Sequence, residues 1–284
     1  MTTNPADWTG DRVSLTFTDT TAVVRCFNPA QGLMDAQMET ELLSVLDQLD
    51  GWTAGRVVII TGRDPGMFIR HYNVAVLHQR ALAMQAAGKR FSIERPVPPA
   101  GIHRFIERVG RSPLVFIAAI NGIAMGGGFE LALGCDIRVV QDGDFELGLP
   151  ELNLGLLPGA GGTQQMSRLL GESRAMQLLL TASVLEPSQM VAWGLAAASV
   201  PDALAHAVDM AGRIAAVPAR ACANIKQLVR GASRWSVAEG EAAERTLFCD
   251  CMVDPAALPL MQAVGSGERS ISSPPAQAGG TLAR

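Results

Sequence analysis

The sequence predicts a mixed α/β fold, strand-rich in its first part and helical in its last. Three observations carry this. Arg56–Thr61 (RVVIIT) and Leu114–Ile120 are continuous apolar runs rich in β-branched residues, as expected of strands buried on both faces. Between Met34 and Leu49, the residues Leu42, Leu43, Leu46 and Leu49 recur at helical spacing and form one apolar stripe. Beyond about residue 165 the segments read as helices, and no further strand is expected.

The elements follow in order. Val13–Phe17 and Ala22–Phe27 are short β-branched and aromatic runs separated by the turn-prone Thr18-Asp19-Thr20, which predicts two strands. The Met34–Leu49 helix and the RVVIIT strand come next. Phe68–Val74 is a second extended segment after the turn Asp64-Pro65-Gly66. Lys89–Ala100 holds several charges and three prolines and reads as a loop. Ile102–Val109 is helical and leads into the Leu114–Ile120 strand, and Cys135–Val140 is another buried strand. Ser173–Leu180, Pro187–Trp193, Pro201–Ala216, Pro218–Gly231 and Ser236–Met252 are helices, several opening on a proline whose missing N–H costs little there. The Ser-, Pro- and Gly-containing segment 265–284 reads as a disordered tail. The divisions expected are a core over 1–200 that carries the active site, a helical region over 201–264, and the tail.

Composition narrows the function. The chain has 284 residues, 48% hydrophobic and 18% charged, which fits a globular protein with a sizeable core and argues against wholesale disorder. A net charge of −4 with both signs scattered gives no reason to expect nucleic acid or an anionic membrane as partner. The longest apolar run, Leu114–Met125, is interrupted by Asn121-Gly122 and is too short to span a bilayer. The five cysteines have no regular spacing, the N-terminus lacks the apolar stretch of a signal peptide, and the four histidines show no metal-ligand spacing. The expectation is a cytoplasmic protein with no metal.

The chemistry begins at Asn121-Gly-Ile-Ala-Met-Gly-Gly-Gly-Phe-Glu130, where a buried strand runs into three glycines and then an apolar helix. Glycines let a ligand approach the main chain, and a helix N-terminus offers unpaired N–H groups to a developing oxyanion. The same pattern also suits a tight packing turn, and residues alone leave both open. It is neither a dinucleotide fingerprint, which needs glycine where Leu131 stands, nor a phosphate loop, which lacks its lysine at Gly128. Glu130 lies in the first turn of the apolar helix. Burial there raises a carboxyl pKa and suits it to proton transfer, whereas at an exposed position it only complements the helix dipole. A second acid, Glu151, follows in LGLPEL, ahead of Pro158-Gly-Ala-Gly-Gly-Thr-Gln164.

The runs IAAINGIAMGGGFELALGCDIRV and LGLPELNLGLLPGAGGTQ, at their separation here, resemble the crotonase (enoyl-CoA hydratase/isomerase) superfamily, and weaker similarity extends from about Val13 to Met252. The resemblance implies a spiral of β-β-α units followed by helices that mediate trimers, often paired into hexamers. It implies acyl-CoA thioesters as substrates, with coenzyme A arriving as part of the substrate and no resident cofactor. Glu130 and Glu151 would be the two catalytic acids of a hydratase, adding water syn to a trans-2-enoyl-CoA. The backbone N–H groups of Gly127 and Tyr72 would form the oxyanion hole, and Gly159 would position the water. Phe68, Arg70, Tyr72, Asn73, Val74 and Gly126 would contact substrate or CoA. The first oxyanion loop departs from the family pattern: His71 replaces a glycine, Tyr72 a small residue and Asn73 an aspartate, and the lysine that usually follows is absent. An isomerase, another acyl-CoA lyase or hydrolase, and an inactive thioester-binding homologue are the alternatives.

Overall fold

In the computed structural model, residues 4–29 and 31–273 are described. Strands β1 (Trp8–Thr9), β2 (Val13–Thr18) and β3 (Thr21–Cys26) form an antiparallel meander. Parallel to β3 run β4 (Val57–Gly62), β6 (Val115–Ile120), β8 (Ile137–Gln141) and β11 (Ala198–Val200), closing a seven-stranded sheet in the order β1-β2-β3-β4-β6-β8-β11. A smaller sheet, β10-β9-β7-β5, is built from β5 (Gly66–Ile69), β7 (Gly122–Met125), β9 (Leu147–Gly148) and β10 (Val184–Leu185).

The chain winds as a spiral. After β4 it lays β5 in the second sheet and returns through α2 (Val74–Ala86) and α3 (Gly101–Arg111). After β6 it lays β7 and returns through α4 (Gly127–Gly134); after β8 it lays β9 and turns back through α5 (Gly162–Leu170) and α6 (Glu172–Leu180). This is the β-β-α repetition the resemblance implies.

The continuous apolar runs have a direct cause. Val58 and Ile60 of β4, with Phe116, Ala118 and Ile120 of β6, enter the main core together with Leu42, Val45, Leu46 and Leu49 of α1 (Ala36–Asp50). The alternate residues Val57, Ile59, Val115, Ile117 and Ala119 face α8 (Ala203–Ala215), whose Ala203, Ala207 and Ala211 are fully buried. Alanines at every fourth position let the helix sit close to the sheet. Each large side chain so buried contributes about 1.5–3 kcal/mol. Farther on, α9 (Ala219–Gly231) is tied to the core by ionic contacts. Lys226 Nζ meets Asp136 Oδ2 at 2.8 Å and donates to the carbonyls of Val109 and Leu114, while Arg230 Nη2 meets Asp136 Oδ1 at 2.6 Å. The helices α7 (Pro187–Ala192), α10 (Val237–Met252) and α11 (Leu258–Gly265) complete the element list.

Three expectations are corrected, and a fourth lies partly outside the described residues. The extended segment Phe68–Val74 ends early: β5 stops at Ile69, and Asn73 accepts from the Ala75 and Val76 amides to cap α2. That helix is missing from the sequence reading because it buries no residue and so carries no apolar stripe. The short helices α5 and α11 also escape it, the first opening inside a glycine-rich loop. Beyond residue 165 the structure has two strands, β10 and β11, of two and three residues, too short to show any periodicity. Of the expected disordered tail, residues 266–273 hold turns but no helix or strand, and residues 274–284 lie outside the described residues.

Candidate active site

The apolar run Leu114–Met125 is two strands in two sheets, split at Asn121-Gly122. Asn121 Oδ1 accepts from the Gly62 amide (3.0 Å) and its Nδ2 donates to the Gly62 carbonyl (3.1 Å), which locks the ends of β4 and β6 together. A Cβ at Gly122 would sit 1.8 Å from the Gly66 carbonyl carbon, so only glycine lets β7 pass β5 here. Gly126 then turns the chain at φ +50°, a left-handed conformation that favours glycine, and Gly127 opens α4.

Opposite Gly127 lies the β5–α2 loop. Met34 donates to the His71 carbonyl (2.9 Å) and Asn73 donates to the Met34 carbonyl (2.8 Å), pinning the residues on either side of Tyr72. The amides of Tyr72 and Gly127 themselves donate to no backbone group among the described residues. A Cβ at Gly127 would lie 3.6 Å from Tyr72 Cβ, so the two residues stand side by side.

Glu130 sits in the first turn of α4 and is 3% exposed. Its Oε1 accepts from the amides of Ala160 (2.6 Å) and Gly162 (2.8 Å), both in the PGAGG loop. Burial raises the Glu130 carboxyl above its ordinary range, and these two amides oppose that rise by favouring the anion. Glu151 begins a short 3₁₀ turn, Glu151–Leu154, with Oε2 buried and unpartnered among the described residues. Burial, with a smaller contribution from the negative charge of Glu130, pushes Glu151 up to about 7. A Cβ at Gly126 would come within 3.2 Å of Glu151 Oε1, so the glycine turn also makes room for the acid.

These groups meet in one cavity of about 560 Å³. Glu130, Glu151, Tyr72, Gly127, Gly126, Val74 and Gly159 all line it. Phe68, Arg70 and Asn73 do not. Phe68 is a core residue, 1% exposed, because the strand alternation of β5 turns it inward. Arg70 is exposed and contributes its carbonyl to the Met125 amide, and Asn73 is spent on capping α2.

Among the wall residues the sequence reading missed, three are titratable. His103 accepts from the Ala100 amide at Nδ1 (3.1 Å), which assigns the proton to Nε2, and that nitrogen donates to the Gly159 carbonyl (2.6 Å). It thereby fixes the loop that holds Glu130. Glu39 of α1 and Arg80 of α2 also line the cavity. No local signal marks them, since each stands on a helix face with no motif around it.

Comparisons with known proteins point to one family. A family model described as enoyl-CoA hydratase/isomerase matches residues 16–254. A probable enoyl-CoA hydratase of Bacillus subtilis is 30% identical over 208 residues, covering 72% of this chain and 74% of that protein. The fatty acid oxidation complex subunit alpha of Aliivibrio fischeri is 35% identical over 178 residues, but this chain spans only 24% of its length. Among solved structures, an enoyl-CoA hydratase of Bacillus anthracis superposes with a TM-score of 0.79 at 27% identity, covering 90% of this chain and 96% of that one. A structure from Geobacillus kaustophilus reaches 0.83 at 24% identity over 95% and 98%, a likeness of fold.

Proposed function

Because the chain belongs to the enoyl-CoA hydratase/isomerase family, we propose that it hydrates a trans-2-enoyl-CoA thioester, with Glu130 and Glu151 as the proton-handling pair. The observation that carries this reading is the contrast between the two acids. Both face one cavity, yet one is clamped by two amides that favour its anion and the other is pushed to about 7.

The thioester oxygen would lie between the free N–H groups of Tyr72 and Gly127, which stabilise the enolate as it forms. The α4 N-terminus adds its positive dipole end at Gly127. Water attacks the β-carbon while Glu130 accepts its proton. Glu151, which holds a proton near neutral pH, gives it to the α-carbon on the same face, so the net addition is syn. Gly159, held by His103, orients the water. A double-bond isomerase needs only one well-placed base, and the presence of two acids in the cavity favours hydration over it. Arg70, exposed just beyond the end of β5, is the cation proposed for a CoA phosphate.

The test is loss of enoyl-thioester ultraviolet absorbance with crotonyl-CoA and longer trans-2-enoyl-CoAs, with products separated by chromatography. A 3-hydroxyacyl-CoA product supports the reading, and a 3-enoyl-CoA in its place overturns it. The pH profile is a second check. Hydration requires Glu151 protonated, so kcat falls as pH rises through about 7, about tenfold per unit well above it, and this limb disappears in Glu151→Gln. A flat profile from pH 6 to 9 would remove Glu151 as the proton donor.

The helical C-terminal region is proposed as the trimer contact. Val229 of α9 and Phe248 of α10 are 70% and 65% exposed, more apolar surface than an isolated subunit needs to show. Light scattering is expected to give a mass of three or six chains, and a single-chain mass would overturn the assignment.

A further inference from the structure

One corner of the cavity is built unlike the rest. Its wall is largely apolar, with Val74, Leu77, Ile102, Leu154 and Leu156 among its residues, but Glu39, Tyr72 and Arg80 converge on it from α1, the oxyanion loop and α2. Glu39 is 8% exposed; its Oε2 accepts from the Gly101 amide at the start of α3 (3.1 Å), and its Oε1 has no hydrogen-bond partner among the described residues. The Tyr72 hydroxyl is buried and makes no hydrogen bond among the described residues, although Glu39 and Arg80 both stand close enough to shift its pKa. The Arg80 guanidinium stands over the Tyr72 ring, 5.9 Å from its centroid, and Arg80 makes no salt bridge among the described residues. An acceptor oxygen, a phenolic hydroxyl and a cation, none hydrogen-bonded to another among the described residues, therefore share the cavity with the two acids.

Unspent buried polar groups are costly. A hydroxyl left unpaired costs about 1–3 kcal/mol, and a site containing one discriminates against ligands that cannot satisfy it. Resting on the reading that the cavity takes an acyl-CoA thioester, we propose that this corner selects acyl chains that carry a hydroxyl group, which donates to Glu39 and accepts from Tyr72. A hydroxyl is the group that fits all three neighbours, because it is donor and acceptor at once. A carboxylate would suit Arg80 but meet Glu39 as a like charge, and a plain hydrocarbon would leave the Tyr72 hydroxyl orphaned. Burial, and after it the nearby Glu39, raise the Tyr72 hydroxyl above its ordinary range against the opposing effect of the Arg80 cation, so it stays protonated and able to donate. The division of labour within Tyr72 is then complete: its amide holds the thioester oxygen, and its side chain reads the far part of the same acyl group. This gives a reason for a large polar side chain where the family pattern has a small one.

The test uses saturated acyl-CoAs, which have no double bond to hydrate, so that binding is measured apart from turnover. Calorimetric titration compares terminally hydroxylated acyl-CoAs with the matched plain acyl-CoAs over a series of chain lengths. At one length the hydroxyl is expected to tighten Kd by about tenfold or more in the wild-type protein. Tyr72→Phe and Glu39→Gln should each remove most of that preference. Because the preference is a ratio within each variant, a general loss of affinity cancels from it. A ratio near one at every length in the wild type, or a preference that survives both substitutions, would overturn the proposal. Failure of either series to bind would overturn the acyl-CoA reading itself and this proposal with it, whereas selective binding without any hydration would sink only the hydratase assignment.

Discussion

Glu130→Gln is expected to lower kcat for hydration by about 10²–10⁴-fold, the usual contribution of a positioned general acid or base. Glutamine keeps the volume of the side chain, and its carbonyl oxygen can still accept from the amides of Ala160 and Gly162. The PGAGG loop and the substrate site therefore persist, and the loss falls on proton transfer. Thioester affinity should accordingly change far less than kcat. Glu151→Gln is expected to cost a similar factor, and the double variant little more than either single one, because the two acids act on one water and one addition. Stopped-flow absorbance with crotonyl-CoA reads all three. Retention of hydration within about threefold in either single variant would sink the two-acid mechanism, since such a small loss lies far below the general acid–base range.

Gly127→Pro is expected to lower kcat by about 10²–10³-fold, the measured scale for losing one oxyanion donor. Proline at this position removes the amide hydrogen and puts its ring Cδ in the hydrogen's place. Gly127 is the first residue of α4, where proline is well tolerated and its N–H has no helical partner to lose. A Cβ there meets Met34 Sδ at 3.5 Å, Ile102 Cδ1 at 3.6 Å and Tyr72 Cβ at 3.6 Å, ordinary contacts that need no rearrangement. The control is Gly127→Ala, which adds the same Cβ but keeps the N–H. If both variants are equally slow, the loss comes from crowding, and the amide is not an oxyanion donor. If the alanine variant is much the faster, the loss lies at the Gly127 nitrogen, where proline replaces the donor with a ring carbon.

Much of the spiral is legible in the amino-acid pattern alone. Strands β4 and β6 announce themselves because both of their faces are covered, so nearly every position must be apolar. Asn121 and Gly122 mark the break between two strands, since a polar amide and a residue without Cβ interrupt an otherwise unbroken run. Where burial is slight the pattern vanishes: α2 buries nothing, and β10 and β11 are too short to establish an alternation. The functional residues divide in the same way. Glu130, Glu151 and Gly127 stand in motifs dense with glycine. Glu39, Arg80 and His103 stand in ordinary helices, and only their convergence on one cavity distinguishes them.

What the sequence by itself determined is therefore local: which segments are doubly buried strands, where glycine permits a turn, and which two acids stand beside such turns. The tertiary structure decided everything that depends on distant groups meeting. It brought the Ala160 and Gly162 amides onto Glu130, set Tyr72 against Gly127, and buried Glu151 beside another carboxylate so that its pKa rises to about 7. It also withdrew Phe68 and Asn73 from the cavity and supplied Glu39 and Arg80 in their place. The physical reason is that backbone preference and periodicity arise among neighbours in sequence, whereas desolvation and hydrogen bonding depend on whatever the fold places within a few ångströms.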